Sequence, residues 1–132
     1  RFALPEAKVG RVPLDGGIVM LQRLIPRNIA VGMMMTGRMM SAAEMVQYGL
    51  VNAVVSQAQL DAEVDSWVAD ILAAAPLSLR AIKTVVRETP DMSIHDAFIR
   101  QTPELINALN SEDADEGVAA FREKRLPFWK GC

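Results

Sequence analysis

The chain has 132 residues, 51% of them hydrophobic, with 14 basic and 16 acidic side chains for a formal charge of −2. This length fits one domain with a real core, the apolar content excludes a disordered chain, and the slightly acidic balance argues against a nucleic-acid binder. No apolar run approaches the ~18 residues of a membrane span, no signal-peptide pattern is present, and a lone cysteine, Cys132, excludes an intrachain disulfide and fits a reducing, cytoplasmic setting.

Residues 2–4, FAL, stop at Pro5 and read as the tail of a strand whose beginning is missing. Glu6 follows at once. From the residues alone it is either a surface charge at a strand end or a carboxylate at a pocket rim, where burial makes an acid–base group. PLDGG at 13–17 is a turn leading into apolar IVMLQRLI, with Asp15 as the expected helix N-cap. Pro26 stops that helix and Asn28 is placed to cap the next, which ends at Gly37 as a candidate left-handed residue. Met33, Met34, Met35, Met39 and Met40 cover more than one helix face, so this segment is expected in a core or at a subunit contact.

Ser41 and Glu44 have capping-box spacing at the head of a short helix that Gly49 ends. LVNAVV at 50–55 is β-branched and reads as a strand in need of a partner. From Gln57 to Ala74 the period is helical, with Leu60, Val64, Trp67, Val68, Ile71 and Leu72 along one face. A second helix follows Pro76 and ends at Pro90. Ser93 and Asp96 open another, in which Pro103 predicts a kink or a break. Ser111 is placed to cap a last helix with acids in its first turn and bases in its last, an order that suits the helix dipole. The tail LPFWKGC is apolar but carries Pro127 and Gly131, so it is expected to dock rather than to coil. The sum is a mainly α chain with one or two short strands.

Site chemistry is sparse. His95 is the single histidine; with no second histidine and only a terminal cysteine, no ordinary zinc site is expected. Neither a dinucleotide-binding nor a phosphate-loop glycine motif occurs.

Four stretches in series carry a resemblance: FALPEAKVGRVPLDGG, MTGRMMSAAEMVQYGLVNAVV, APLSLRAIKTVV and SEDADEGVAAFREKRLPFWKG. In this order and at these spacings they resemble the crotonase family, the enoyl-CoA hydratases and isomerases. The second half of the pattern looks most like the carnitinyl-CoA dehydratase branch.

The resemblance implies the C-terminal part of an α/β crotonase fold: residues 1–56 as the end of the catalytic core, residues 57–132 as a helical oligomerisation region. Family members are roughly twice this length, so the oxyanion hole and a first catalytic glutamate would lie upstream of residue 1, and the isolated piece is expected to be inactive. The implied activity is reversible hydration or dehydration of a 2-enoyl-CoA, with double-bond isomerisation or a purely structural assembly piece as alternatives. Coenzyme A would enter as part of the substrate, with no separate cofactor or metal, no nucleic acid and no membrane, in a homotrimer or homohexamer.

Residue by residue, Glu6 matches the second hydratase glutamate, which exchanges a proton at the acyl α-carbon. Phe121 and Lys124 match residues that reach a neighbouring subunit's CoA, at its adenine and its phosphate. One departure stands out: many hydratases have glycine where Leu14 stands, so a reshaped pocket is expected, with Asp15 as a candidate second acid.

Overall fold

A computed structural model describes all of residues 1–132. It divides into two compact units, Arg1–Leu60 and Asp61–Cys132.

The first unit is three helices over an extended N-terminal segment: α1 (Gly17–Leu24), α2 (Arg27–Thr36) and α3 (Ala42–Gln47). Its core is Leu21, Ile25, Ala30, Met33, Met40 and Met45, with Phe2, Leu4 and Leu50 packed against it. Met45 is fully buried, and removing such a side chain from water is worth about 2 kcal/mol. Pro26 forces Ile25 into an extended conformation (φ −131°, ψ 166°), which turns the chain sharply between α1 and α2 while keeping Ile25 inside. Of the five methionines in the segment two are buried and a third, Met34, packs partly buried against the core. Met33 and Met40 are buried, whereas Met35 and Met39 are exposed.

The helix ends show which local signals hold. Ser41 and Glu44 form the full capping box, with Ser41 N–H donating to the Glu44 carboxylate at 2.7 Å and Glu44 N–H to Ser41 Oγ at 3.2 Å. Gly37 closes α2 in the left-handed region. Asn28, by contrast, lies inside α2, whose N-cap is Pro26; a proline before the first turn supplies the break that Asn28 is not needed for. Residues 50–55 form no strand. The sole β-pairing in the chain is the Phe2–Met40 bridge, and a β-branched run with no ladder to join stays irregular. The FAL segment does find a partner: Phe2 N–H donates to Met40 C=O at 2.8 Å, and Met40 N–H to Phe2 C=O at 2.9 Å.

The second unit contains α4 (Leu60–Leu72, its first residue closing the first unit), α5 (Pro76–Glu88), α6 (Ile94–Ile99), α7 (Pro103–Leu109) and α8 (Glu112–Glu123). Pro76 and Pro103 each occupy the first turn of a helix, where a missing N–H costs nothing. Pro103 therefore separates α6 from α7, and Thr102 caps the new helix through Leu105 N–H at 3.1 Å. Ser93 and Ser111 cap α6 and α8 as their spacing predicts. α5 packs on α7, and α7 on α8, and the buried apolar residues of these helices are small: Ala81, Ala108 and Ala120. The apolar stripe of α4, Val64, Trp67, Val68 and Ile71, stays about half exposed, so its helical period is real but it covers no core in this chain.

The tail is docked, as its composition predicts. The Trp129 ring lies over Gly117, whose Cβ would stand 3.3 Å from it, and its indole N–H donates to Ala73 C=O at 2.7 Å. Asp113, only 2% exposed, accepts the N–H groups of Lys130 at 2.6 Å and Gly131 at 2.9 Å.

Candidate active site

Glu6 opens a 3-10 turn over Glu6–Val9 that Gly10 closes in the left-handed region (φ 68°). Its backbone is held on both sides: Lys8 N–H reaches Pro5 C=O, and Arg11 N–H reaches Glu6 C=O, each at 2.9 Å. Glu6 is half-buried. One carboxylate oxygen, Oε2, is buried with no hydrogen-bond partner in the chain. Buried polar atoms are nearly always paired, because leaving one unpaired costs about 1–3 kcal/mol. An orphaned acid oxygen at the end of a pinned extended segment is thus the most unusual polar atom in the unit.

Gly37 sets the position of this turn. It sits at φ 58°, and a Cβ there would come within 2.8 Å of Lys8 Cε and 3.1 Å of Pro5 Cα. Lys8 can swing aside; the backbone of Pro5, next to Glu6, cannot. Gly37→Ala is expected to cost about 1–3 kcal/mol, from the left-handed backbone and the clash together. It is also expected to displace Glu6. Urea unfolding checks the first effect and turnover of the whole protein the second; a wild-type midpoint would show that Pro5 and α2 can separate freely. From the sequence Gly37 is legible as a helix stop, but its contact with Pro5 is not.

Asp15 does not cap α1. Gly16 takes the N-cap position at φ 90°, and no side chain bonds the first turn. Backbone carbonyls do this instead, Ile18 N–H reaching Pro13 C=O at 3.0 Å and Met20 N–H reaching Gly16 C=O at 2.7 Å. Left-handed Gly16 puts Asp15 one residue too early to cap. Asp15 instead lines a largely apolar cavity of about 510 Å³ with Phe2, Leu4, Gly17, Met20 and Met33. Glu6 is not among the lining residues, so the cavity does not gather the two acids. Leu14 is 78% exposed and also outside the lining, so within this chain it does not crowd the cavity.

Phe121 and Lys124 belong to the second unit. Phe121 is 86% exposed in this chain. Lys124 is also exposed and is the one non-glycine residue with positive φ (56°). Its N–H reaches Phe121 C=O at 3.3 Å, and Arg125 N–H reaches Ala120 C=O at 3.1 Å. This is the Schellman closure of a helix, with lysine where glycine is usual. The left-handed backbone costs a side-chain-bearing residue about 1–2 kcal/mol, so something must hold it.

A fork of charges lies beside it. Glu116 accepts Arg125 Nη1 at 2.6 Å and Nη2 at 2.8 Å, and Phe128 N–H at 2.7 Å. Arg125 Nε also donates to Glu123 at 2.6 Å. The Arg125 fork, and after it the Phe128 N–H, draws the Glu116 carboxyl down from its ordinary 4.5 to about 2. Pairs nine residues apart across a reversed chain carry no periodic signal, so this fork is not readable from spacing. His95 is exposed, and no three His, Cys, Asp or Glu side chains gather to hold a metal ion. No helix is long and apolar enough to cross a membrane.

The enoyl-CoA hydratase/isomerase family model matches residues 1–132. The chain is 42% identical to the carnitinyl-CoA dehydratases of Shigella flexneri and Escherichia coli K12, over 98% of its own length and 51% of theirs. It thus spans about half the length of the curated relatives it matches. Among solved structures it superimposes on enoyl-CoA hydratase from Mycobacterium tuberculosis with a TM-score of 0.86 at 35% identity, covering 99% of this chain and 52% of that one. The enoyl-CoA hydratase from Mycobacterium marinum gives 0.86 at 36% identity, with the same coverage of each.

Proposed function

Since the chain belongs to the enoyl-CoA hydratase/isomerase family, the crotonases, we propose that the whole protein is an acyl-CoA lyase that reversibly adds water to a 2-enoyl-CoA or removes it from a 3-hydroxyacyl-CoA. The observation that carries this reading is the buried, unpartnered Oε2 of Glu6, at the family's second-glutamate position. A carboxylate short of one partner and held on a pinned turn suits proton exchange with a substrate carbon.

In this mechanism Glu6 gives a proton to the α-carbon during hydration and takes one from it during dehydration. The first glutamate, in the remainder of the protein, handles the water at the β-carbon. Two backbone N–H groups there hold the enolate-like thioester oxygen, where charge develops. Coenzyme A is part of the substrate. Phe121 packs on its adenine and Lys124 pairs with its phosphate as a point charge, in the site of a neighbouring subunit. Residues 1–56 then serve catalysis, and residues 57–132 serve assembly into a trimer or hexamer in the cytoplasm. The half-exposed α4 stripe supports assembly, because an apolar face of that length ordinarily meets another surface.

One observation favours a second reading, enoyl-CoA isomerisation: Asp15 lines the apolar cavity beside Leu4 and Met20, where a single acid could shuttle a proton between the α- and γ-carbons. Both readings are tested by incubating the whole protein with a 2-enoyl-CoA in deuterium oxide and following the product by NMR. Hydration yields the 3-hydroxyacyl thioester with one deuterium at the α-carbon. A 3-enoyl-CoA supplied in parallel that becomes the conjugated 2-enoyl thioester without added water selects isomerisation, and both thioesters left unchanged refute both readings.

A further inference from the structure

The Schellman turn at Lys124 and the fork at Glu116 are one construction. Arg125 follows the strained residue, and its guanidinium folds back along α8 to meet Glu116 through two parallel bonds of 2.6 and 2.8 Å. It can do so only if the chain reverses immediately after Glu123, and the residue that makes the reversal is Lys124. Glu123 holds the same guanidinium through Nε at 2.6 Å. Glu116 also accepts Phe128 N–H at 2.7 Å, which fixes the chain on the far side of the turn. The reversal is therefore clamped before and after Lys124, while Lys124 itself pairs with no carboxylate in the chain.

We propose that Glu116, acting through Arg125, is a positioning residue that presents the Lys124 ammonium to the nucleotide portion of coenzyme A. This rests on the reading of Lys124 given above and deepens it. The clamp selects for the CoA handle and leaves the chemistry at the acyl end alone. A Lys124 free to leave the left-handed region would swing through a wide arc, and ordering a point charge on a long flexible stem afresh offsets part of its pairing energy.

The experiment compares kcat/KM of the whole protein on a 2-enoyl-CoA with that on the matching enoyl-pantetheine thioester, which lacks the nucleotide. Glu116→Gln keeps the side-chain volume but loses the charged fork. Arg125→Lys keeps the charge but cannot bond in two places, and serves if Glu116→Gln fails to fold. Lys124→Ala removes the presented group. The expected result is a drop of about tenfold in the preference for the CoA thioester in Glu116→Gln and Arg125→Lys, carried by KM with much smaller change in kcat. The Lys124→Ala drop is at least as large, and Glu116→Gln adds nothing to it in the double variant. If Lys124→Ala keeps the preference, the assignment of Lys124 to CoA fails and the inference falls with it. If Lys124→Ala loses the preference while Glu116→Gln and Arg125→Lys keep it, the positioning role alone is wrong. Equal losses on both thioesters in Glu116→Gln would mean a merely structural fork and would overturn the inference too.

Discussion

Glu6→Gln in the whole protein is expected to lower kcat for 2-enoyl-CoA hydration by about 10²–10⁴-fold, the range for removing a positioned acid–base group, while KM stays near the wild-type value. Glutamine fills the same space and keeps an accepting oxygen, so the turn held by Pro5, Lys8 and Arg11 has no reason to move. What it cannot do is take a proton from carbon or return one. A second readout separates this from misfolding. The wild-type carboxylate leaves Oε2 buried and unpartnered, an arrangement that destabilises the folded chain. The neutral amide is cheaper to bury, so the variant is expected to unfold at the same urea concentration as wild type or slightly above it. Lost turnover with retained or improved stability marks a residue kept for chemistry. Turnover within about threefold of wild type would remove Glu6 from the mechanism.

The largest stability effect is expected at Asp113. Its buried carboxylate is the acceptor for two consecutive tail N–H groups, at 2.6 and 2.9 Å. Asp113→Ala leaves both donors without a partner and gives up a negative charge in the first turn of α8. The summed cost is about 2–4 kcal/mol. Asp113→Asn should fall between, because the amide offers one oxygen and turns an N–H₂ group toward the other donor. The expected signature is a lower urea midpoint together with a shift in tryptophan fluorescence, as Trp129 leaves Gly117 and the Ala73 carbonyl. Since Trp67 on α4 is half exposed already, its emission should change little. A loss of less than about 0.5 kcal/mol in Asp113→Ala would mean that water replaces the carboxylate at no cost and that the tail is held by other contacts.

Much of the chain's outline is legible in the amino-acid sequence because its signals are local. Ser41, Ser93 and Ser111 cap helices through donors three residues away, within reach of a single side chain. Pro76 and Pro103 open helices because their rings fix φ wherever they stand. Gly37 ends one because glycine reaches the left-handed region without strain. The series of four stretches points to the crotonases and to Glu6 for a related reason: an order of short segments is a property of the chain itself.

Tertiary structure decided the rest, wherever the outcome depended on what a segment met. The 50–55 run has strand propensity and forms no ladder, since no second strand lies alongside it. Asp15 has a capping side chain, but left-handed Gly16 takes the cap position and leaves the acid facing a cavity. Asp113 looks like an ordinary first-turn acid until Lys130 and Gly131, 17 and 18 residues on, bring their N–H groups to it. The orphaned oxygen of Glu6 is decided in the same way. Sequence determined that a carboxylate follows Pro5, and only folding determined that one of its oxygens is buried with nothing in the chain to bond, because burial is a property of neighbours far apart along the chain.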